Sequence, residues 1–415
     1  MTNLAWWILH LVALFSPKMK LFVNGRKNTF TILKNVIKPI DQNIWFHCAS
    51  LGEFEQGLPI MEALKSKHPS TKIIITFFSP SGYEQKKNTP IADVVCYLPM
   101  DTLSRAKKFI ELVNPTLAVF VKYEVWPNYM TTLKNKQIKT ILISGLFRKE
   151  QVYFKPFGNF MRGALAKFDH YFVQNQESKE LLESIKLSNI SVSGDTRFDR
   201  VSHQIEMDNA VKFMDEFTNI PNCTCIICGS TWPEDEEVLI DYINSASSNV
   251  KFVIAPHKID LQKIKTLRQK LTSTTSVTYS EYKKGTISNK KLEETNLLIV
   301  DTIGYLTKIY SYADIAYVGG AMGETGLHNI LEPATFGVPI IIGKNFVKFP
   351  EAERLRSLAG LFSVSNKEEC NTILNKLVSD ANFRKKTGMI CGHFVNSNTG
   401  ATNIIIEYLD QQKIL

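Results

Sequence analysis

Short segments that are apolar throughout alternate with amphipathic segments along most of this chain. Residues 44–47, 72–78 and 117–121 are apolar segments, and residues 54–67 form an amphipathic stretch between the first two. Strands that are apolar along their whole length are buried on both faces, which requires a parallel sheet with helices on each side. The alternation therefore predicts an α/β fold of doubly wound, Rossmann-like sheets.

The same alternation begins again in the second half, after a polar stretch at residues 208–222. A chain of 415 residues exceeds one ordinary core, so we expect two domains of roughly 200 residues each. We predict a first Rossmann-like domain over residues 26–207 and a second over residues 208–415. Two such domains are expected to bind a ligand in the cleft between them, at the carboxyl ends of both sheets.

The N-terminal segment, residues 1–25, combines an apolar run with basic residues. Residues 4–15 are apolar apart from His10, and the first 40 residues contain no Asp or Glu in a chain of net charge +9. The run is about 12 residues long, short of the ~20 that cross a bilayer. Basic residues that follow it favour an anionic surface and a cytoplasmic position.

We predict from this that the segment attaches the protein to the cytoplasmic side of the cell inner membrane, with the phospholipid surface as a partner. The alternatives are a signal peptide, a marginal membrane span, and a helix packed on the protein itself. No zinc-finger, RRM or KH signature accompanies the charge, so nucleic acid is not expected as a partner.

The seven cysteines are scattered, which favours a reducing compartment over a disulfide-bonded secreted protein. Cys223, Cys225 and Cys228 lie close together but within an apolar run, and no complementary Cys or His pair is near them in the sequence. A zinc site needs four ligands, so we predict a buried strand there and no metal.

In the first half, the segment from His47 to Glu55 joins an apolar strand to a helix. Glu53 lies in the first turn of that helix, and Ser50 precedes it as an N-cap candidate. The carboxylate can simply complement the helix dipole. It can also act as a general base at the carboxyl end of a parallel strand, and the local sequence leaves both interpretations open.

Two further strand-to-helix turns follow on the same edge of the predicted sheet. Ser81 and Gly82 lie in the first, and Lys122 and Glu124 lie in the second, just before Trp126. Ordinary turn chemistry and a packed helix start are the alternatives to a ligand contact.

In the second half, Pro256 and His257 end an apolar strand, where they could contact a base or a ribose. A glycine-rich loop with Gly319, Gly320, Gly323 and Gly326 leads to a helix predicted to start near Asn329. A helix start of this kind favours phosphate, and Glu332 within it suits the hydroxyls of a ribose. The chain contains no Asp-x-Asp pair, so a metal-chelated diphosphate is not indicated.

These segments together resemble the Kdo transferases, the 3-deoxy-D-manno-octulosonic acid transferases of lipopolysaccharide synthesis. The resemblance extends over nearly the whole chain, through HCASLGEFEQGLPIMEALK, TFFSPSGYE, YLPMD, VKYEVWPN, SGDTRFDRV, APHKID, VDTIGYL and GLHNILEPATFGVP in the family's order. It implies a GT-B fold and an inverting, metal-independent transfer of Kdo from CMP-Kdo to a lipid A precursor.

The resemblance also implies roles for individual residues. Glu53 would be the catalytic base, and Ser50, Gly52, Ser81, Gly82, Lys122 and Glu124 are candidate contacts to the acceptor or the sugar. The residues implied for CMP binding are Pro256, His257, Ile303, Gly304, Tyr305, Asn329, Ile330, Leu331 and Glu332.

The chain departs from the family pattern at three places. It has His257-Lys258 where many members have Arg-His, Tyr305 where many have Glu, and Asp195 and Arg197 where many have Asn and Lys. The alternatives to a Kdo transferase are another GT-B-like enzyme such as a UDP-sugar 2-epimerase, and a membrane-associated nucleotide-binding protein without catalysis.

Overall fold

The computed structural model describes Val12 and residues 15–414, and it divides the chain into two compact units. The first unit comprises Met1–Arg200 and Asn398–Leu415, and the second comprises Val201–Ser397.

The first unit contains a parallel seven-stranded sheet with the order β3-β2-β1-β4-β5-β6-β7. Its strands are β1 (Asn43–Cys48), β2 (Lys72–Phe77), β3 (Val94–Tyr97), β4 (Pro115–Val121), β5 (Lys139–Gly145), β6 (His170–Val173) and β7 (Ile190–Val192). The helices up to the division are α1 (Pro17–Lys27), α2 (Thr29–Val36), α3 (Leu51–Lys67), α4 (Pro80–Lys86), α5 (Leu103–Val113), α6 (Pro127–Asn135), α7 (Asn159–Leu165), α8 (Gln176–Ser184) and α9 (Arg197–His203).

The second unit contains another parallel seven-stranded sheet, with the order β10-β11-β9-β8-β12-β13-β14. Its strands are β8 (Thr224–Thr231), β9 (Val250–Pro256), β10 (Ser276–Thr278), β11 (Leu297–Ile299), β12 (Ile315–Val318), β13 (Ile340–Gly343) and β14 (Leu361–Val364). The remaining helices are α10 (Lys212–Phe217), α11 (Pro233–Ser245), α12 (Leu261–Lys270), α13 (Tyr279–Lys283), α14 (Asn289–Glu294), α15 (Leu306–Ile309), α16 (Leu331–Thr335), α17 (Pro350–Ser357), α18 (Lys367–Ser379), α19 (Ala381–Asn396) and α20 (Ala401–Gln411). Three short 3₁₀ turns complete the elements: Val152–Phe154, Gln204–Glu206 and Tyr310–Tyr312.

The central strands explain why the apolar segments become sheets covered on both faces. All six residues of β1 are buried, as are the first six residues of β8. Trp45 and Ala118 face one layer of core, while Phe46 and Val119 face the other. The prediction of parallel sheets covered by helices is confirmed for both halves of the chain.

The last helix, α20, belongs to the first unit. Ile405 and Leu409 pack in the same core layer as Phe172, and the Asp199 carboxylate accepts hydrogen bonds from the backbone amides of Gly400 and Thr402 at the start of the helix. This division differs from the predicted domain limits of 1–25, 26–207 and 208–415. Local sequence features predict residues 398–415 in the second domain, whereas the apolar face of α20 is buried in the core of the first unit.

The first described helices show that part of the predicted basic arm is a packed component of the fold. Phe22 and Val23 of α1 are buried, and the Arg26 guanidinium donates to the backbone carbonyls of Phe22, Phe78 and Leu98. Burial lowers the pKa of Arg26 to about 10. Arg26 is therefore engaged by the protein itself and is not available to an anionic surface.

The predicted localisation, at the cytoplasmic side of the inner membrane through the N-terminal apolar segment, is wrong. Most of that segment, residues 4–15, lies outside the described residues. In Val12 and residues 15–414, no helix has both the length and the apolar character needed to cross a bilayer. The phospholipid surface predicted as a partner of this segment stays a prediction.

The packing of α20 generates a testable prediction about pH. His170 is buried beside Tyr408 of α20, with ring centroids 4.2 Å apart, and burial, together with Lys139, lowers its pKa to about 4. The folded state therefore favours the neutral ring. Its contribution to stability is complete above the unfolded value of about 6.5 and is lost as pH falls from there towards 4.

We expect thermal unfolding to show that the His170→Gln variant loses less Tm than the wild type between pH 7 and pH 4. At pH 7.5 the variant should be less stable by about 1 kcal/mol, because the ring contacts of His170 with Phe172 and Tyr408 are lost. His203→Gln is the control, since the His203 side chain is 62% exposed. Parallel Tm curves for the wild type and His170→Gln would contradict this account.

Candidate functional site

In the first unit, three predicted site segments follow strands that are neighbours in the sheet. Ser50, Gly52 and Glu53 follow β1, Ser81 and Gly82 follow β2, and Lys122 and Glu124 follow β4. Both β2 and β4 are paired directly with β1. The strand order changes direction here, because β2 and β4 lie on opposite sides of β1. Loops that leave such a point diverge and form a crevice at the carboxyl end of the sheet.

Glu53 is held at the start of α3 by the backbone. Its Oε2 atom accepts a hydrogen bond from the amide of Ser50 at 2.9 Å, and its side chain is nearly buried, with the residue 7% exposed. Burial, together with the charge of Glu124, raises the pKa of Glu53 to about 7, while Lys122 and the amides of Ser50 and Ala49 oppose the shift. A carboxylate with this pKa can accept a proton near neutral pH.

Glu124 is oriented by two ring side chains. The indole Nε1–H of Trp126 donates to Glu124 Oε2 at 3.1 Å and to His47 Nε2 at 3.0 Å. Because His47 Nε2 accepts this bond, the neutral ring carries its proton on Nδ1, which lies 2.9 Å from Thr76 Oγ1. Neither His47 nor Thr76 was predicted as a site residue. The available signal was a polar residue at the end of each of two adjacent apolar strands.

Asp101 fixes the helix that carries Trp126 at its N-cap. Its carboxylate accepts hydrogen bonds from the backbone amides of Asn128 and Tyr129 at the start of α6, at 3.1 and 3.2 Å. Asp101 was also not predicted as a site residue, although it ends the YLPMD segment quoted above. That segment therefore acts on the site by setting the position of the α6 N-terminus.

The two predicted residues in the turn after β2, Ser81 and Gly82, differ in their exposure. Ser81 is exposed and its hydroxyl lies 2.8 Å from that of Ser79. A side chain at Gly82 would come within about 3 Å of the Phe77 ring and of the Leu51 amide. Gly82 thus allows α4 to pack against the start of α3, whereas at Gly52 a Cβ atom would meet nothing within 4 Å.

In the second unit, β8 lies between β9 and β12, which gives it the same central position as β1. Asp235, in the first turn of α11, is fully buried and accepts hydrogen bonds from the amides of Trp232 at 2.9 Å and Gly320 at 2.8 Å. It also accepts from the hydroxyl of Tyr317 at 3.1 Å. The glycine-rich loop is therefore anchored to Asp235, and the Gly320 amide is already used.

The helix start predicted as a phosphate site differs from the prediction in its position and in the state of its first amide. The helix begins at Leu331, is five residues long, and has its first amide bonded to Asn329 Oδ1 at 3.1 Å. Ile330 and Leu331 are buried, so their side chains stabilise the core. Gly320 has φ +97°, and a Cβ there would collide with the Gly326 carbonyl, which explains the glycine.

Glu332 connects two of the predicted donor segments. Its Oε2 accepts from the hydroxyl of Thr307 at 3.2 Å, and its Oε1 accepts from the Asn329 amide side chain at 3.2 Å. Thr307 follows Tyr305 by two residues. The structure therefore brings the segment 303–305 and the segment 329–332 to one place in the second unit.

The side chains of the segment 303–305 differ in their availability. Ile303 is 88% exposed, and Gly304 has φ +102°, a backbone conformation that favours glycine. The Tyr305 hydroxyl lies 3.0 Å from that of Tyr279, and its ring packs on Phe213. Because the Tyr305 side chain is engaged in this aromatic cluster, the main chain and the exposed Ile303 side chain are the parts of the segment that remain accessible.

His257 belongs to a stack of three rings. Its ring centroid lies 4.8 Å from that of Trp232 and 4.3 Å from that of His328. Burial, together with the adjacent Lys258, lowers the pKa of His257, and burial lowers that of His328 to about 4. Both imidazoles are therefore neutral at pH 7, and Lys258 is the cation at the end of β9. Trp232 and His328 were missed, although Trp232 directly follows β8 as His257 follows β9.

The cysteines of β8 are part of the core. Cys225 and Cys228 are buried, and burial raises the pKa of each thiol. Within the described residues, no three His, Cys, Asp or Glu side chains are grouped so as to hold a metal ion.

Comparison with known proteins identifies the family. Residues 24–200 match the family model described as 3-deoxy-D-manno-octulosonic-acid transferase (kdotransferase). A 3-deoxy-D-manno-octulosonic acid transferase of Aquifex aeolicus is 28% identical over 352 residues, which cover 83% of this chain and 89% of that protein. A bifunctional glycosyltransferase/methyltransferase of Fusobacterium nucleatum is 30% identical over 380 residues, covering 88% of this chain but 57% of the relative. The chain thus spans a little over half the length of that protein.

Among solved structures, UDP-GlcNAc 2-epimerase from Neisseria meningitidis, bound to UDP-GlcNAc, is similar with a TM-score of 0.63. The match covers 89% of this chain and 100% of the epimerase at 15% identity. At that identity the likeness concerns the fold alone. Together with the two parallel sheets it confirms the predicted GT-B type of fold.

The electrostatics around Glu53 can be tested directly. The negative charge of Glu124 raises the pKa of Glu53, so Glu124→Gln should lower that pKa from about 7 towards its ordinary value. The measurement is a carbon-13 NMR titration of labelled Glu carboxyls, with the Glu53 signal assigned by its loss in Glu53→Gln.

Glu84→Gln is the matched control, because Glu84 is paired with Lys87 on the surface at 2.7 Å. It should leave the Glu53 titration unchanged. An unchanged midpoint in Glu124→Gln would show that Glu124 does not act on Glu53.

Proposed function

Because this chain belongs to the Kdo transferase family, as its motifs predicted, we propose that it transfers Kdo from CMP-Kdo to a lipid A precursor of the lipid IVA type, with inversion at the anomeric carbon. The reaction would serve lipopolysaccharide biosynthesis. The proposal covers the donor, the acceptor and the stereochemistry, each of which is narrower than family membership.

The observation that carries the proposal is the state of Glu53. A nearly buried carboxylate with a pKa of about 7, next to Glu124 and Lys122 at the carboxyl end of β1, is suited to general base catalysis. A carboxylate that served only to cap α3 would need no such environment. The proposal therefore assigns the proton transfer to Glu53.

The proposed reaction is a single displacement. The primary hydroxyl of the acceptor loses its proton to Glu53, and its oxygen forms a bond to the anomeric carbon of Kdo. The bond from that carbon to the phosphate oxygen breaks, and CMP leaves with the electron pair. Attack from the face opposite CMP inverts the anomeric configuration.

The acceptor side is proposed for the first unit. Ser50, Gly52, Ser81, Lys122 and Glu124 are the proposed contacts, and the exposed hydroxyl of Ser81 and the open space at Gly52 support this. Gly82 is retained as a proposed contact through its backbone alone, because a side chain at this position would meet the packed start of α3.

The donor side is proposed for the second unit. The contact of Thr307 with Glu332 brings the segments 303–305 and 329–332 together, which supports a common ligand for them. We propose that Pro256 and His257, at the end of β9, contribute to the same donor site, with the neutral imidazole as a hydrogen-bonding or stacking group.

We also propose that the transfer needs no metal cofactor. The leaving group is a nucleoside monophosphate, which requires less charge neutralisation than a diphosphate, and the sequence has no Asp-x-Asp pair. We propose that Lys258, just after the end of β9, balances part of the phosphate charge.

The base assignment is tested with Glu53→Gln. The purified chain is incubated with CMP-Kdo and a tetraacylated lipid A precursor, and products are read by mass spectrometry. We expect the rate to fall by about 10²- to 10⁴-fold, with CMP binding unchanged. Wild-type activity should rise with pH through about 7, because the base must be deprotonated.

Glu62→Gln is the control for this experiment, since Glu62 is exposed on the same helix. It should retain the wild-type rate. Full activity of Glu53→Gln would exclude Glu53 as the base, and a wild-type chain that adds no Kdo would exclude the proposed function.

Metal independence has its own measurement. We expect the same rate of Kdo transfer after dialysis against EDTA as in buffer with added Mg²⁺, because the proposed chemistry needs only the side chains named above. A rate that is lost with EDTA and restored by Mg²⁺ or Mn²⁺ would overturn this part of the proposal.

A further inference from the structure

His47 is a fully buried histidine of β1, and both of its ring nitrogens face hydrogen-bonding side chains of the first unit. Its Nδ1 atom lies 2.9 Å from Thr76 Oγ1 on β2, and its Nε2 atom accepts from the indole Nε1–H of Trp126 at 3.0 Å. The ring therefore connects the interior of the sheet to the loop after β4, where Glu124 lies.

Thr76 determines which nitrogen of His47 carries the proton. Its hydroxyl donates its single proton to the carbonyl of Phe46 at 3.4 Å, and its oxygen accepts from the indole of Trp45 at 2.8 Å. The remaining lone pair faces His47 Nδ1, which is therefore the N–H of the neutral ring. Because His47, Thr76 and Trp45 are all fully buried, water cannot replace these partners. The Nε2 lone pair is thus fixed towards Trp126.

The indole N–H of Trp126 is shared between two acceptors. It donates to His47 Nε2 at 3.0 Å and to Glu124 Oε2 at 3.1 Å, and these two acceptor atoms are 3.6 Å apart. One N–H that serves two acceptors gives each a weaker bond than it would give to one alone. The nearby hydroxyl of Tyr153 stays neutral, because burial raises its pKa to about 12. The negative charge of Glu124 is therefore only partly compensated by the indole.

The ionisable groups that act on Glu53 come from two segments of the first unit. Cys48 ends β1, and the loop after β4 supplies Lys122, Tyr123 and Glu124. Burial raises the pKa of the Cys48 thiol and of the Tyr123 hydroxyl, so both are neutral near pH 7. The charge of Glu124 raises the pKa of Glu53, and the charge of Lys122 lowers it. Any change in how far Glu124 is compensated is therefore felt by Glu53.

We propose that His47 is a positioning residue for Kdo transfer. By taking part of the Trp126 N–H, it leaves the charge of Glu124 free to act on Glu53, and this increases the affinity of Glu53 for the proton of the acceptor hydroxyl. His47 contacts no reacting atom in this scheme and acts through Trp126 and Glu124. The inference rests on the proposed function, because it takes Glu53 to be the base.

The substitution His47→Phe tests the proposal, because it keeps a ring in the sheet and removes both nitrogens. The indole N–H then bonds to Glu124 alone, so the charge of Glu124 is better compensated and Glu53 holds its proton less strongly. We expect the carbon-13 titration midpoint of Glu53 to fall by at least about 0.5 pH unit. The low-pH limb of the Kdo transfer rate should move in the same direction, and the plateau rate should fall because the base is weaker.

His47→Gln is the conservative variant. Its amide oxygen can accept from the Trp126 indole, as Nε2 does in the wild type. This variant should return the Glu53 midpoint towards the wild-type value, even though the lost contact with Thr76 lowers the Tm. A purely structural role of His47 predicts the opposite pattern, in which the Tm falls in both variants and the midpoint stays where it is.

Thr76→Val is a second test that leaves His47 in place. Without the threonine oxygen, Nδ1 has no acceptor, so the ring proton moves to Nε2 and faces Glu124. The charge of Glu124 is again better compensated, and the Glu53 midpoint should fall as in His47→Phe. Thr140→Val is the matched control, because Thr140 is buried on β5 of the same sheet and its hydroxyl bonds to a backbone carbonyl. It should leave the midpoint unchanged.

A double variant shows whether the effect passes through Glu124. In Glu124→Gln the charge that His47 leaves uncompensated is absent. Adding His47→Phe to this background should therefore not lower the Glu53 midpoint again. A further fall of the same size would show that His47 acts by another route, which refutes the proposal.

The outcomes separate this inference from the proposed function. If the Glu53 midpoint stays unchanged or rises in a folded His47→Phe, or in Thr76→Val where His47→Phe does not fold, the role of His47 is refuted while the proposed function stands. If the wild type transfers no Kdo at any pH, the proposed function is refuted, and the role of His47 in transfer with it.

Discussion

Both units place their first strand in the interior of a parallel sheet, and the candidate chemistry depends on that constraint. β1 has β2 on one side and β4 on the other, and β8 has β9 and β12. The connections on the two sides of such a strand pass over opposite faces of the sheet. The loops therefore diverge and leave room at the carboxyl edge. Glu53 after β1 and Glu124 after β4 are close for this reason, although 70 residues of chain separate them.

The sequence was sufficient for the features that arise locally. Apolar strands such as β1 and amphipathic helices such as α3 are evident from periodicity, and the order of elements then implies parallel sheets. Glu53 could be located because a carboxylate directly after a buried strand is at the carboxyl edge by necessity. The family motifs gave that residue a role that its local sequence left open.

The features that were missed depend on contacts between distant segments. The tautomer of His47 follows from Trp126 and Thr76, and the position of α6 follows from Asp101. The basic residue Arg26 was expected to face an anionic surface, yet three backbone carbonyls from different segments surround it. No periodicity or composition reports such pairings, because each partner lies on another element.

Each unit has an acidic residue that accepts the N-cap amide of the helix after its first strand, but the two residues have different surroundings. Glu53 and Asp235 each occupy the third position of the helix after the first strand, and each accepts the N-cap amide, from Ser50 and from Trp232. Burial raises the pKa of both. Asp235 is surrounded by further donors, among them the Gly320 amide and the Tyr317 hydroxyl, and its bonds hold a loop in place.

Glu53 receives fewer donors and has Glu124 as a neighbour, so its charged form is less stabilised. A carboxylate whose oxygens all accept hydrogen bonds cannot take a proton from a substrate without breaking some of those bonds. Glu53 accepts fewer hydrogen bonds, so this obstacle is smaller for it. The number of hydrogen-bond donors around each acid, and not its position on the helix, therefore distinguishes the structural carboxylate of Asp235 from Glu53, the proposed general base.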